Sequence, residues 1–208
     1  MSQAVHPAQR RQGRWKMLLV LAVCAAPVIA SYFTYYVVRP EGRRNFGALI
    51  EPQRPMPEAL MVRDREGQHQ PLTHWKGQWL LVSTAAPDCD AACEERLYLQ
   101  RQLRESLGRE KDRVDWVWLV QSPAAKPRAE LEPALQQAEV MAVERNELAQ
   151  WLAPADGQQL EDHLYLVDPF GHWMLRFPAH LSKDQAPKAK RDLERVLRAA
   201  ASWDQPGR

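Results

Sequence analysis

The stretch Trp79-Leu80-Leu81-Val82-Ser83-Thr84-Ala85-Ala86-Pro87-Asp88-Cys89-Asp90-Ala91-Ala92-Cys93 constrains the fold more than any other part of the chain. Trp79 to Thr84 is apolar, rich in strand-favouring residues and bounded by Gly77 and Pro87, the pattern of a strand buried on both faces. Beyond Pro87 the period changes. Leu99, Leu103 and Leu107 recur every four residues with Leu97 beside them, which predicts an amphipathic helix from Asp90 to Leu107. The two cysteines fall at this strand-to-helix junction. Side chains at i and i+4 share one helix face, so two sulfurs placed there can converge on a metal ion or be oxidised to a disulfide.

A second interior strand, Val114 to Val120, follows the helix at crossover distance and completes a βαβ unit. Ahead of it, Ala59 to Arg63, the turn Asp64-Arg65-Glu66-Gly67 and Gln68 to Leu72 read as a hairpin. Behind it, Pro123 to Pro127 reads as a loop, Ala129 to Ala138 as a helix, Val140 to Val143 as a short strand and Arg145 to Leu152 as another helix. His163 to Val167 and His172 to Phe177 flank Asp168-Pro169-Phe170-Gly171, too short a connection for anything but an antiparallel pair. Ser182 to Ala201 closes the chain as a helix. The order predicts an α/β fold, a mixed sheet with flanking helices.

Met17 to Val38 contains no charged residue and is long enough, at about 1.5 Å per residue, to span a hydrocarbon core of about 30 Å. Trp15, Tyr32, Tyr35 and Tyr36 lie near its ends as an interfacial belt would, and Cys24 within it reads as a small apolar side chain. A cleaved signal peptide is the alternative, but the apolar stretch is longer than a signal core. The expected organisation is a cytoplasmic tail over 1–16, a transmembrane helix over 17–38, an extended proline-containing linker over 39–57 and a folded domain over 58–203. Up to residue 44 the net charge is +6, so the rest of the chain carries −4 and offers no basic surface for nucleic acid.

With the cysteines at the end of the first central strand, the chain resembles the thioredoxin superfamily, and within it the membrane-anchored Sco/SenC proteins, copper chaperones of cytochrome c oxidase assembly. The residues that carry the likeness are the Gly77-x-Trp79-Leu-Leu-Val lead-in, Cys89-x-x-x-Cys93 and Tyr165-Leu166-Val167-Asp168-Pro169-x-Gly171, behind a single anchor. The resemblance implies copper held by Cys89, Cys93 and His163, and a domain on the periplasmic side of the inner membrane. It also implies a metallochaperone rather than an enzyme, with an oxidase subunit or another assembly factor as partner. Where the family has a proline after each cysteine this chain has Asp90 and Glu94, and the family's histidine position is Leu160 here, with His163 the nearby histidine.

Other roles stand beside that one. Cys89 and Cys93 can form a redox-active pair in a membrane-tethered thiol-disulfide oxidoreductase, with Cys89 the attacking thiol, or a structural disulfide in an assembly scaffold without chemistry of its own. Asp88, Asp90, Glu94 and Glu95 crowd the pair with negative charge, which disfavours a thiolate and favours a bound cation; soft thiolates select Cu(I). His163 reads equally as a ligand and as a strand-end histidine held by a neighbouring carboxylate. Trp116 and Trp118, on one face of their strand, read as core.

Overall fold

A computed structural model of the chain describes residues 7–38, 45–122 and 127–203, in two compact units that divide between Arg44 and Asn45. The first unit is a helix, α1 (Pro7–Phe33), ending in a π-helical turn over Thr34–Val38. Arg14–Tyr36 within it is long and apolar enough to cross a membrane, and its apolar side chains stand exposed along the helix.

The second unit is built on an eight-stranded mixed sheet. In chain order its strands are β1 (Ala48–Pro55), β2 (Met61–Arg63), β3 (His69–Pro71), β4 (Trp79–Ala85), β5 (Val114–Val120), β6 (Glu139–Val143), β7 (Tyr165–Val167) and β8 (His172–Arg176). Across the sheet they run β1-β8-β7-β4-β5-β6-β2-β3. All seven residues of β4 are buried, as an apolar strand with neighbours on both edges and layers on both faces must be. β4, β5 and β6 are parallel to one another, and β7 pairs antiparallel with β4 on its other edge.

Among the described residues three α-helices complete the domain: α2 (Ala91–Ser106), α3 (Arg145–Trp151) and α4 (Ala186–Ala199). Alternation along the strands sorts them onto two faces. Trp79 and Leu81 pack with Leu103 and Leu107 at the end of α2 and with Leu193 and Leu197 of α4. Leu80, Val82, Val117 and Leu119 point the other way, onto Leu148, Trp151 and Leu152 at α3. Burial of these side chains, about 1.5–3 kcal/mol each, is the main force that holds the layers together.

Three expectations need correction. The linker over 39–57 is strand where β1 lies: Ala48 and Leu49 pair with Arg176 and Leu175, and Arg54 and Pro55 with Trp173 and His172. An edge strand tolerates proline because one side of its backbone needs no ladder partner. Its start is fixed by the buried Asp192 of α4, whose Oδ2 accepts the Phe46 and Gly47 N–H groups at 2.7 and 2.9 Å. The helix expected over 129–138 is instead 3-10 turns over Ala129–Leu135, where Pro133 lacks an N–H and cannot propagate an α-helix. The hairpin of Gln68 to Leu72 gives way to a 3-10 turn already at Leu72, after β3. Of the loop expected over 123–127, residues 123–126 lie outside the described residues. The turn at Asp168-Pro169-Phe170-Gly171 forms as expected: Gly171, at φ +87, donates to the Asp168 carbonyl at 2.9 Å, and a Cβ there would meet the Lys76 side chain at 2.7 Å.

Candidate functional site: the cysteine turn

The turn begins where β4 stops. The Cys89 N–H donates to the Ala86 carbonyl at 3.2 Å, and Cys89 takes φ +36, a left-handed conformation uncommon for a residue with a Cβ. Asp90 then caps α2. Its Oδ1 accepts the Cys93 N–H at 2.8 Å, satisfying one of the donors that a helix start leaves without a partner. These two features bring the cysteine Cα atoms to 5.2 Å, and the sulfurs are joined in a disulfide.

Both cysteines are buried, at 1% and 3% exposure. They lie in an apolar cluster with Leu97 of α2, Trp116, Trp118 and Val120 of β5, Val140 of β6, and Leu135 and Ala138 from the segment that leads into β6. The core role read for Trp116 and Trp118 is what the structure shows, and their indole N–H groups find no hydrogen-bond partner among the described residues. Arg128 closes the site from outside. One guanidinium nitrogen donates to the Cys89 carbonyl at 2.8 Å and also pairs with the Glu94 carboxylate. No local sequence signal marks Arg128, because its partners stand 39 and 34 residues earlier in the chain.

His163 is placed differently. It is 1% exposed, just before β7, and both ring nitrogens are engaged: Nδ1 donates to the Phe177 carbonyl at 2.9 Å, and Nε2 accepts the Ala155 N–H at 3.1 Å. These partners assign the neutral tautomer with its proton on Nδ1. Burial lowers the imidazole's affinity for a proton below its ordinary range, assisted by Arg176 and His180 and opposed by the Phe177 bond and Asp162. Among the described residues no three His, Cys, Asp or Glu side chains are grouped so as to hold a metal ion. Cys89 and Cys93 are therefore brought together, and His163 is not brought to them. In this oxidised state the sulfurs of Cys89 and Cys93 are bonded to each other, and both imidazole nitrogens of His163 are bonded to main-chain groups.

Between the two regions stands Arg96, one turn beyond Cys93. Burial lowers its pKa, offset in part by the negative Asp162, Asp90 and Glu161. Above it, Arg145 pairs with Glu161 and with Gln121, whose amide reaches the Thr84 hydroxyl at 2.9 Å. Ion pairs thus tie the rim of the cysteine end together, and the apolar cluster lies beneath.

Comparison with known proteins agrees with this architecture. Residues 79–200 match the family described as transmembrane-like, thioredoxin-like, C-terminal domain, and residues 7–38 match the transmembrane-like N-terminal domain. No curated protein matches the chain in sequence. Among solved structures it is similar to yeast Sco1 with copper bound, at 13% identity over 78% of this chain and 99% of that one, with a TM-score of 0.53. It is similar also to apo Sco1 from Thermus thermophilus, at 17% identity over 74% and 96% with a TM-score of 0.53. A third is BsSco, a member of the Sco family of cytochrome c oxidase assembly proteins in which a disulfide switch was identified, at 15% identity over 70% and 94% with a TM-score of 0.51. At these identities the likeness to Sco proteins is one of fold. The chain belongs to the family of transmembrane-like proteins with a thioredoxin-like C-terminal domain.

Proposed function

We propose that this is a single-pass membrane protein, its N-terminus cytoplasmic and its thioredoxin-like domain periplasmic, that serves cytochrome c oxidase assembly by thiol-disulfide chemistry at Cys89 and Cys93. The observation that carries the reading is the disulfide itself, closed across the turn between the first central strand and the helix that follows it. The Sco fold supplies the link to oxidase assembly, through the role stated for BsSco. An oxidised pair in an extracytoplasmic domain suits an oxidising compartment. In its working cycle the pair accepts two electrons and two protons from a dithiol, becoming two thiols, and gives them to a disulfide on a partner. Copper delivery has less support, because among the described residues no third His, Asp or Glu is grouped with the pair.

The test is a Cys89→Ser, Cys93→Ser double variant expressed in cells lacking the wild-type chain, with oxidase activity of the membranes as readout. Thiol chemistry predicts loss of activity in the double variant at normal levels of the protein. Undiminished activity identifies a scaffold whose disulfide is a structural staple, and overturns the proposal.

A further inference from the structure

A disulfide is opened by a thiolate that approaches one sulfur along the S–S axis. At 1% and 3% exposure neither cysteine of this pair can be approached in that way, so a wall of the cluster must move. Most of the wall belongs to the fold: Trp116, Trp118 and Val120 stand on β5, Val140 on β6 and Leu97 on α2. The exception is the stretch from Arg128 to Ala138, which joins the same cluster through Leu135 and Ala138, with Leu131 packed against that cluster. This stretch is 3-10 turns, whose hydrogen-bond geometry is poorer than that of an α-helix, flanked by bonds from the Leu131 N–H to Arg128 at 3.1 Å and from the Ala138 N–H to Leu135 at 2.9 Å.

Two arginines fasten it. Arg65, from the β2–β3 turn, holds its far end through Glu132 and the Leu135 and Ala138 carbonyls. Arg128 holds its near end to the Cys89 carbonyl and Glu94. The Arg128–Glu94 pair is 43% and 48% exposed, and surface ion pairs of that kind contribute little. The bond to the Cys89 carbonyl is partly buried and charge-assisted, and it pins a residue whose left-handed backbone is otherwise disfavoured.

From this arrangement we infer that Arg128 is the latch of a cover over the Cys89–Cys93 disulfide, and that its release is what lets a dithiol reach the sulfurs. The inference rests on the thiol-disulfide reading above. Once the cover is open, one thiolate of the dithiol attacks a cysteine sulfur, the S–S bond breaks, and the other cysteine leaves as a thiolate and takes a proton. The second thiolate of the dithiol then attacks the mixed disulfide and releases the first cysteine, which is also protonated. Two electrons and two protons reach the pair, and the dithiol departs as a disulfide. Arg128 touches no reacting atom in this sequence and acts as a positioning residue.

The experiment follows reduction of the full chain in detergent micelles by excess dithiothreitol, quenched with a maleimide and counted by mass. Cys24 is the free cysteine, so oxidised protein takes one label and reduced protein three. Arg128→Gln is expected to speed reduction about tenfold, equivalent to about 1.4 kcal/mol. Arg128→Lys, which keeps the charge but not the fork, should accelerate it about threefold, and Glu94→Gln about twofold. The melting temperature of oxidised Arg128→Gln should stay within about 2 °C of wild type, which a general loosening of the fold would not allow. If Arg128→Gln does not fold, the ordering of the other two variants carries the test. A rate for Arg128→Gln within twofold of wild type, or an equal acceleration in Arg65→Gln, overturns the latch. Three labels on the untreated protein would overturn the underlying disulfide reading instead.

Discussion

The cysteine pair and His163 are both buried at the ends of neighbouring strands, β4 and β7, and they are held in opposite ways. The carbonyl beside the disulfide is bound by a side chain, Arg128, whose other partner is half in solvent. His163 is bound by the main chain on both sides, through Ala155 and Phe177. A side-chain partner can swing out into water and form new hydrogen bonds there. Main-chain partners cannot, so losing the imidazole leaves the buried Phe177 carbonyl and the partly buried Ala155 N–H without a partner. Burial alone therefore does not separate working residues from structural ones; the ease with which their polar partners can be resolvated does.

The largest effect on stability is expected at His163. His163→Leu strands the Ala155 N–H and the Phe177 carbonyl and should cost about 3 kcal/mol in urea unfolding, leaving the reduction rate of Cys89–Cys93 within about twofold of wild type. A loss below about 1 kcal/mol would mean that water replaces the imidazole and that the comparison fails. The same residue gives a pH signature. Its folded pKa lies below the ordinary value of 6.5, so between the folded value and 6.5 the unfolded chain binds the extra proton. Stability must then rise with pH through that window, with the penalty absent above about 6.5 and growing as pH falls below it. His163→Leu should remove this part of the slope. Thermal unfolding at a series of pH values, wild type against variant, measures it.

A smaller effect is expected at the cysteines. Closing so short a loop restricts the unfolded chain by about 2 kcal/mol on the chain-entropy account, so oxidised wild type should exceed the Cys89→Ser, Cys93→Ser variant by roughly that amount. Reduced wild type should fall close to the variant. If reduction instead unfolds the domain, the pair is a staple on which the core depends, and the contrast with His163 disappears.

How far these properties can be read from the sequence differs between the two regions for a physical reason. β4, α2 and β5 were legible because each is long and set by local pattern: continuous apolar residues in the strands and leucines every four residues in the helix. β1 was not, since Ala48–Pro55 has two prolines, no alternation and mostly exposed side chains. Its strand character comes from pairing with β8, more than a hundred residues later. The cysteine spacing allowed a disulfide or a metal pair without choosing between them. The cover and its arginine depend on a fold that brings residue 128 to residue 89. His163 could be placed at a strand end, but that its ring is closed off by residues 155 and 177 is a tertiary fact.

The smallest effect sharpens the comparison most directly, because it lies beside His163. Tyr165 is fully buried, its ring centroid is 6.0 Å from that of His163, and its hydroxyl donates to the Leu160 carbonyl at 2.9 Å. Burial pushes the phenol's pKa upward, so it remains a neutral donor across the physiological range. Tyr165→Phe keeps the ring packing and removes one neutral hydrogen bond, leaving one carbonyl without its donor, at a cost of about 1 kcal/mol. The site is as buried as that of His163, but one main-chain partner is lost instead of two and no cavity opens, so the loss should be clearly smaller than for His163→Leu. Urea midpoints of the two variants decide it. An equal loss at both positions would mean that packing around the 160–165 segment, and not the number of stranded main-chain groups, sets the cost.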